Sequence, residues 1–285
     1  MNSPLHTITG RAKKAGIMGW PVGHSKSPAL HGFWLSRHNI DGAYVPMAVK
    51  PQDLAQALKA LPALGFAGVN LTVPHKEAAM GLVDDISDVA KTVGAINTII
   101  VQPDGRLHGT NTDAFGFIEN LRQSFSGFDA TKGPCVVLGA GGAARAVCAA
   151  MKAAGCPDIR IANRTTTRSQ ALAADFGRAV KSIEWKNLTH DLAQAAILVN
   201  ATSLGMTGQP ALEVDLSTLP QTTLVTDLVY APLETSLLMA AKNRGNPTVD
   251  GLGMLLYQAQ AGFEAWFGIK PEVTPALRAH VLATS

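Results

Sequence analysis

An apolar tetrapeptide, Cys135-Val-Val-Leu138, runs without interruption into Gly139-Ala-Gly-Gly-Ala-Ala144 and then into an alanine-rich stretch through Ala154. A strand that turns this sharply into a helix needs glycine where the backbone takes unusual torsions or meets a ligand. Gly139 permits the tight turn, Gly141 lets a pyrophosphate approach the backbone, and Ala144 keeps the helix close to the strand. Free N–H groups and the positive end of the helix dipole then hold the phosphates. A lone glycine pattern could be a packing turn with no ligand. The flanking strand and helix are the context that makes it a dinucleotide fingerprint. The junction predicts a Rossmann-type domain that holds a dinucleotide at Gly139, Ala140, Gly141, Gly142 and Ala143.

The next apolar strand, 159–163, ends at Asn163-Arg-Thr165, about 24 residues beyond Gly139. A site for NAD would place Asp or Glu near here to bond the ribose 2′-hydroxyl. This chain offers Arg164, with Arg168 one helical turn on. A guanidinium can clamp a 2′-phosphate with two parallel bonds, whereas an acid would repel it. The expected cofactor is therefore NADP. A merely solvated helix charge remains the alternative for Arg168.

The 285 residues suffice for two domains with real cores. The pattern is α/β throughout. Strands are expected at 15–19, 43–48, 68–73 and 95–101, with helices at 28–37 and 53–61 between them. Residues 115–124 read as a connecting helix and 126–134 as a linker. A second strand series follows at 135–139, 159–163, 197–201 and 224–228, then helices at 252–267 and 274–282. Alternating strands and helices imply mainly parallel sheets. The expected division is a substrate domain over 1–113, completed by 251–285, and an NADP domain over 114–250, with the ligands meeting in the cleft between them.

A net charge of +3, with no basic run and 6% aromatic residues, argues against nucleic-acid partners. No apolar run reaches the roughly 18 residues that span a bilayer. The short apolar stretch 15–20 is broken by Pro21 too early for a secretory signal. Three cysteines, Cys135, Cys148 and Cys156, have no metal spacing and read as reduced thiols, two of them buried. The eight histidines show no ligand spacing either, and His75 reads as structural. The expectation is a cytoplasmic protein without a metal.

Three polar clusters are candidates for chemistry. Asn70-Leu-Thr-Val-Pro-His-Lys76 spans a strand end, and Gly109-Thr-Asn-Thr-Asp113 precedes the connecting helix. The carboxyl ends of strands in open α/β sheets face the ligand crevice. Lys76 and Asp113 could meet there, and a Lys beside a carboxylate can give or take the proton that accompanies ketone reduction or alcohol oxidation. By residue type alone, such a pair is more often a surface ion pair than a catalytic dyad. Gly23-His-Ser-Lys-Ser-Pro28 lies before the first helix. Its Ser25 and Ser27 hydroxyls can cap that helix or bind a carboxylate.

Taken in order, these stretches, with Gly94-Ala-Ile-Asn-Thr98, Asn200-Ala-Thr-Ser203 and Asp250-Gly-Leu-Gly-Met254, resemble the shikimate dehydrogenase family over almost the whole chain. The resemblance implies reversible, NADP-dependent reduction of 3-dehydroshikimate to shikimate, by a monomer or homodimer. It implies that Ser25 and Ser27 bind the substrate carboxylate with Tyr230 nearby. Thr72, Asn97, Asp113 and Gln258 would hold the ring hydroxyls, and Lys76 and Asp113 would form the catalytic pair. On the cofactor side it adds Asn163, Arg164, Thr165, Arg168, Thr202, Ser203, Leu228 and Gly251 to the glycine turn. Leu71 and Leu228 depart from the more usual Val and Met without removing a polar group.

Other readings remain open at this level. A quinate/shikimate dehydrogenase preferring quinate or NAD is one; Ser27 and the missing acid after the second strand lean against it. A non-catalytic nucleotide sensor on the same fold is another, though Lys76 and Asp113 are retained. A reductase for an amino analogue of shikimate is a third.

Overall fold

The structure is a computed structural model that describes residues 8–284. Two compact units share the chain: one takes the residues up to Thr112 and those from Gln258 onward, the other Asp113–Tyr257.

The first unit runs β1 (Lys13–Gly19), α1 (Ser27–Arg37), β2 (Gly42–Ala48), α2 (Leu54–Ala60), β3 (Phe66–Leu71), α3 (His75–Ala78), β4 (Asp85–Ile86), α4 (Asp88–Val93), β5 (Thr98–Val101) and β6 (Leu107–Thr110). Its six-stranded sheet has the order β2-β1-β3-β5-β6-β4. β1 pairs in parallel with β2 and β3, and β4 with β6, whereas β5 is antiparallel to both β3 and β6. The parallel core is as expected from the pattern; the β5–β6 hairpin is an addition. Its turn is Pro103-Asp104-Gly105, where Gly105 takes φ +84° and Asp104 Oδ1 accepts the Arg106 N–H at 3.0 Å. Turn chemistry of this kind is a hairpin signal. One face of the sheet buries Leu54, Leu58, Val69, Leu71, Ile96 and Ile99.

In the second unit come α5 (Asp113–Ser124), β7 (Cys135–Leu138), α6 (Gly142–Ala153), β8 (Ile159–Ala162), α7 (Thr166–Phe176), β9 (Val180–Ile183), α8 (Leu188–Leu192), β10 (Ile197–Asn200), β11 (Leu224–Asp227), α9 (Ser236–Asn243) and β12 (Thr248–Val249). The sheet order is β12-β11-β10-β7-β8-β9, parallel at every pairing. That is the doubly wound dinucleotide-binding order, with its switch point between β7 and β10. β7, β10 and β11 are buried along their whole length; β7 reads as a continuous apolar run, whereas β10 and β11 end in the buried polar side chains of Asn200 and Asp227.

One feature of the sequence reading is corrected. Residues 126–134 are no linker between units. They lie within the second unit, where Asp129 Oδ1 accepts bonds from the Thr131 N–H and hydroxyl at 2.9 and 2.7 Å and where α5 packs against α6. Glycine- and serine-rich composition reports turns, not borders. By compactness the chain changes units at 112/113 and, within a helix, at 257/258. The reason is that α10 (Leu252–Phe267) is continuous, and its start is tied to α5: Asn120 Nδ2 donates to the Asp250 carbonyl at 2.7 Å.

The later part of α10 and α11 (Pro275–Ala283) complete the first unit. Trp266 Nε1 donates to the Ile99 carbonyl and Trp34 Nε1 to the Glu272 carbonyl, both at 3.0 Å. Beside them, His31 stacks on Tyr44 with ring centroids 3.9 Å apart. His31 is fully buried and neither ring nitrogen has a hydrogen-bond partner among the described residues. Burial lowers its pKa to about 3. The unfolded chain binds a proton here below about pH 6.5 and the folded chain does not, so stability is lost as pH falls below that value. His31→Phe keeps a flat ring and removes the proton. Its stability relative to the parent protein should therefore grow by about 2 kcal/mol between pH 7 and pH 5. Urea unfolding at both pH values checks this, and a gap that stays constant would refute it.

Among the described residues, no helix is long and apolar enough to cross a membrane, and no group of three or more His, Cys, Asp or Glu is placed to hold a metal ion. Cys135 and Cys148 are buried and Cys156 is half-buried. Burial pushes the Cys148 thiol up to about 12.

Candidate functional site

In the second unit, β7 delivers the chain to Gly139, which takes φ +112°. A Cβ at Gly139 would strike the Ala201 carbonyl at the end of β10. Only glycine tolerates both conditions, so the turn sits tightly at the switch point. Gly141, in extended backbone, precedes α6, and no side chain caps the helix. A Cβ on Gly141 would project into open space. The first N–H groups of a twelve-residue helix are therefore left without a side-chain cap behind a position where only glycine leaves the approach clear. Ala144 is fully buried. Arg145 ties α6 to α7 through Asp175 at 2.7 Å.

At the end of β8, Asn163 Nδ2 donates to the Thr165 carbonyl at 2.9 Å and bends the chain into α7. Arg164 and Arg168 are both exposed, and neither guanidinium makes a hydrogen bond or ion pair among the described residues. No acidic residue occurs from 163 to 174. A 2′-phosphate fits this surface better than a bare ribose hydroxyl does.

The loops after β10 and β11 are built from polar side chains. Asn200 Oδ1 accepts from the Thr202 N–H at 3.0 Å and its hydroxyl at 2.7 Å. Thr202 and Leu228 are half-buried and Ser203 is exposed. Gly251 is glycine because the Asp227–Leu228 backbone passes directly against it. Tyr230, half-buried, follows two residues after Leu228.

In the first unit, the ends of β3, β5 and β6 carry a buried amide and hydroxyl network. Asn97 Nδ2 donates to Thr112 Oγ1 at 2.9 Å and to Gln258 Oε1 at 3.2 Å. Gln258 Oε1 also accepts from Thr112 Oγ1 at 3.2 Å. Asn70 Nδ2 bonds the Asn97 carbonyl and Thr98 Oγ1, both at 3.1 Å, and Asn70 Oδ1 accepts from Tyr44 Oη at 2.6 Å. Asn97 and Gln258 are thus brought together, with Thr72 half-buried at the end of β3. Lys76 sits half-buried in α3, its carbonyl accepting the Ile96 N–H at 2.8 Å. Neighbouring His75 is structural: its Nε2 lies 2.8 Å from the Val49 carbonyl.

Ser25 Oγ accepts the Ser27 N–H at 3.3 Å, but Lys26 holds the N-cap position with no side-chain cap, and Ser27 is buried at the start of α1. Between them, Lys26 turns away to the far end of α11, donating to the Val281 and Thr284 carbonyls at 3.2 and 2.5 Å. Lys76 belongs to the first unit, Asp113 and Tyr230 to the second. Tyr44, Asn70 and Thr112 were missed as site residues. Asn70 and Thr112 lay inside motifs already singled out, whereas Tyr44 had no local signal.

Family models match three stretches: the shikimate dehydrogenase substrate binding domain over 17–99, shikimate/quinate 5-dehydrogenase over 120–212, and the shikimate 5′-dehydrogenase C-terminal domain over 251–279. The NADP(+) shikimate dehydrogenase of Rhodospirillum rubrum is 59% identical, over 96% of this chain and 99% of its own. The chain belongs to the shikimate dehydrogenase family. Among solved structures, the family's Thermus thermophilus shikimate 5-dehydrogenase, in complex with NADP(H) and shikimate, is 38% identical with a TM-score of 0.84, covering 95% of this chain and 98% of its own. The quinate dehydrogenase of Corynebacterium glutamicum, in complex with NAD, is 32% identical with a TM-score of 0.89, covering 95% and 99%. The family therefore includes likenesses bound to each nucleotide, and the residues after β8 matter for the choice.

Proposed function

We propose that this chain catalyses the reversible NADP-dependent reduction of 3-dehydroshikimate to shikimate, a step toward chorismate and the aromatic amino acids, in the cytoplasm as a monomer or homodimer. The observation that carries the choice of nucleotide is the pair of exposed, partnerless arginines, Arg164 and Arg168, beside an uncapped helix N-terminus. The substrate rests on the near full-length likeness to NADP(+) shikimate dehydrogenases.

In this reading the NADP domain is 114–250 and the substrate domain 1–113 with 251–285. Backbone N–H groups from Gly139 to Ala143 hold the pyrophosphate. Asn163, Arg164, Thr165 and Arg168 hold the 2′-phosphate end, and Thr202, Ser203, Leu228 and Gly251 line the rest of the cofactor's path. When bound, the reduced cofactor supplies the hydride that a ketone needs. Hydroxyls of Ser25, Ser27 and Tyr230 hold the substrate carboxylate. Thr72, Asn97, Asp113 and Gln258 orient the ring hydroxyls; Asn97 is already held by Thr112 and Gln258, so little side-chain freedom is lost on binding. Lys76 Nζ gives its proton to the carbonyl oxygen as that oxygen becomes a hydroxyl, and takes it back in the oxidative direction. Asp113 works with it, accepting the hydrogen bond of that hydroxyl.

The deciding assay uses the purified protein with shikimate and quinate, each with NADP and NAD, following absorbance of the reduced cofactor. The expected result is fastest turnover with shikimate and NADP. Absence of turnover with that pair would overturn the reading, and a preference for quinate with NAD would transfer it to the quinate branch.

A further inference from the structure

Asp227 ends β11 with a side chain that is fully enclosed, so it can meet neither substrate nor cofactor directly. Its carboxylate gathers three donors. Oδ1 accepts from the Val229 N–H and from Asn200 Nδ2, each at 2.9 Å, and Oδ2 accepts from Thr235 Oγ1 at 2.7 Å. Each donor leads to a different segment. Asn200 holds the Thr202 N–H and hydroxyl on its other side, through Oδ1, and its Nδ2 also reaches the Leu204 carbonyl at 3.1 Å. Val229 lies between Leu228 and Tyr230. Thr235 caps α9 by accepting the Leu238 N–H at 3.3 Å. A carboxylate is costly in such surroundings unless its bonds are satisfied. Burial pushes the Asp227 carboxyl above its ordinary value, against the bonds from Thr235, Val229 and Asn200 that pull it down. An apolar residue here would leave the Asn200 amide, the Val229 N–H and the Thr235 hydroxyl without this acceptor.

We propose that Asp227 is a positioning residue that locks the post-β10 loop, through Asn200 and Thr202, to the post-β11 loop, through Val229, and so fixes the cofactor-binding and substrate-binding side chains those loops carry. The inference rests on the reading that Thr202 and Leu228 serve the cofactor and Tyr230 the substrate carboxylate.

The test uses the full-length protein, with NADPH affinity from fluorescence titration, shikimate KM and kcat from steady-state rates, and Tm. Asp227→Ala strands three buried donors, and both the NADPH Kd and the shikimate KM should rise roughly tenfold. Asp227→Asn should restore both to within about threefold, because its Oδ1 still accepts from Val229 and Asn200 while its amide turns to the Thr235 hydroxyl. Asn200→Ala cuts the bonds to Thr202, Leu204 and Asp227 but leaves the Val229 arm in place. It should raise the NADPH Kd while leaving the shikimate KM within about twofold, and it carries the test if Asp227→Ala does not fold. Thr235→Val removes the cap of α9 and one bond to Asp227 Oδ2 but leaves both loop arms on Oδ1, so it should lower Tm with both binding constants unchanged, which separates lost stability from lost positioning. Thr202→Val and Tyr230→Phe probe the underlying reading. If those two weaken NADPH and shikimate respectively but Asn200→Ala and a folded Asp227→Ala do not, the lock is overturned and the ligand assignments stand. If both are neutral, the ligand assignments fail and the inference falls with them.

Discussion

Lys76→Ala is expected to lower kcat by about 10²–10⁴-fold while the shikimate KM changes little. The size follows from the chemistry: a carbonyl oxygen that becomes a hydroxyl must gain a proton, and the substitution deletes the group assigned to give it. Binding should survive because the carboxylate and ring hydroxyls are assigned to Ser25, Ser27, Thr72, Asn97 and Gln258, which the change does not touch. The fold should survive as well. Lys76 contributes its backbone carbonyl to Ile96, and alanine keeps that bond. Steady-state rates in both directions, with Tm as a control, check the expectation. A variant with near-parental kcat removes Lys76 from the proton's path, and a rise confined to KM makes it a binding residue.

Arg164→Ala should weaken NADP by roughly 10–100-fold and NAD by less than about threefold, because a charge-assisted bond to a phosphate contributes about 1.5–3 kcal/mol. The exposed guanidinium has no internal partner among the described residues, so its removal leaves no buried group unsatisfied. Stability should not change. Arg168, one turn along α7, softens the loss in the single variant, and the double variant should lose more. Parallel fluorescence titrations with NADPH and NADH measure the ratio. Equal losses for the two nucleotides would show that Arg164 does not meet the 2′-phosphate.

Legibility along this chain follows the physics of each segment. β7, β8, β10 and β11 are short strands of a parallel sheet that each open on an apolar residue and are mostly buried, and the sequence showed all four within a residue of where they lie. The limits of α10 match the reading because apolar residues recur along it from Leu252 to Phe267 with no proline to break the helix. The strands that escaped notice were β4, β6, β9 and β12, of two to four residues, at or near sheet edges. An edge strand is defined by its neighbour more than by its own composition. The β5–β6 hairpin did leave a trace in Pro103-Asp104-Gly105. The supposed linker at 126–134 erred in the opposite direction: its turn residues are real, and its place in the second unit depends on α5 and α6, which composition cannot report.

What the sequence determined by itself is local. A glycine at 139 after an apolar strand, a further glycine at 141, and an arginine where an acid would repel phosphate are covalent and steric facts, legible within a few residues of one another. The tertiary structure decided what depends on distant partners. It closed Gly139 against Ala201, joined Asn97 to Gln258, and buried His31 against Tyr44 with its nitrogens unpartnered. It also gathered Asn200, Val229 and Thr235 onto Asp227. The reason is the range of the forces involved. Torsions and helix dipoles act between neighbours in the chain, but a buried polar group must be satisfied by whatever the fold brings within hydrogen-bond reach.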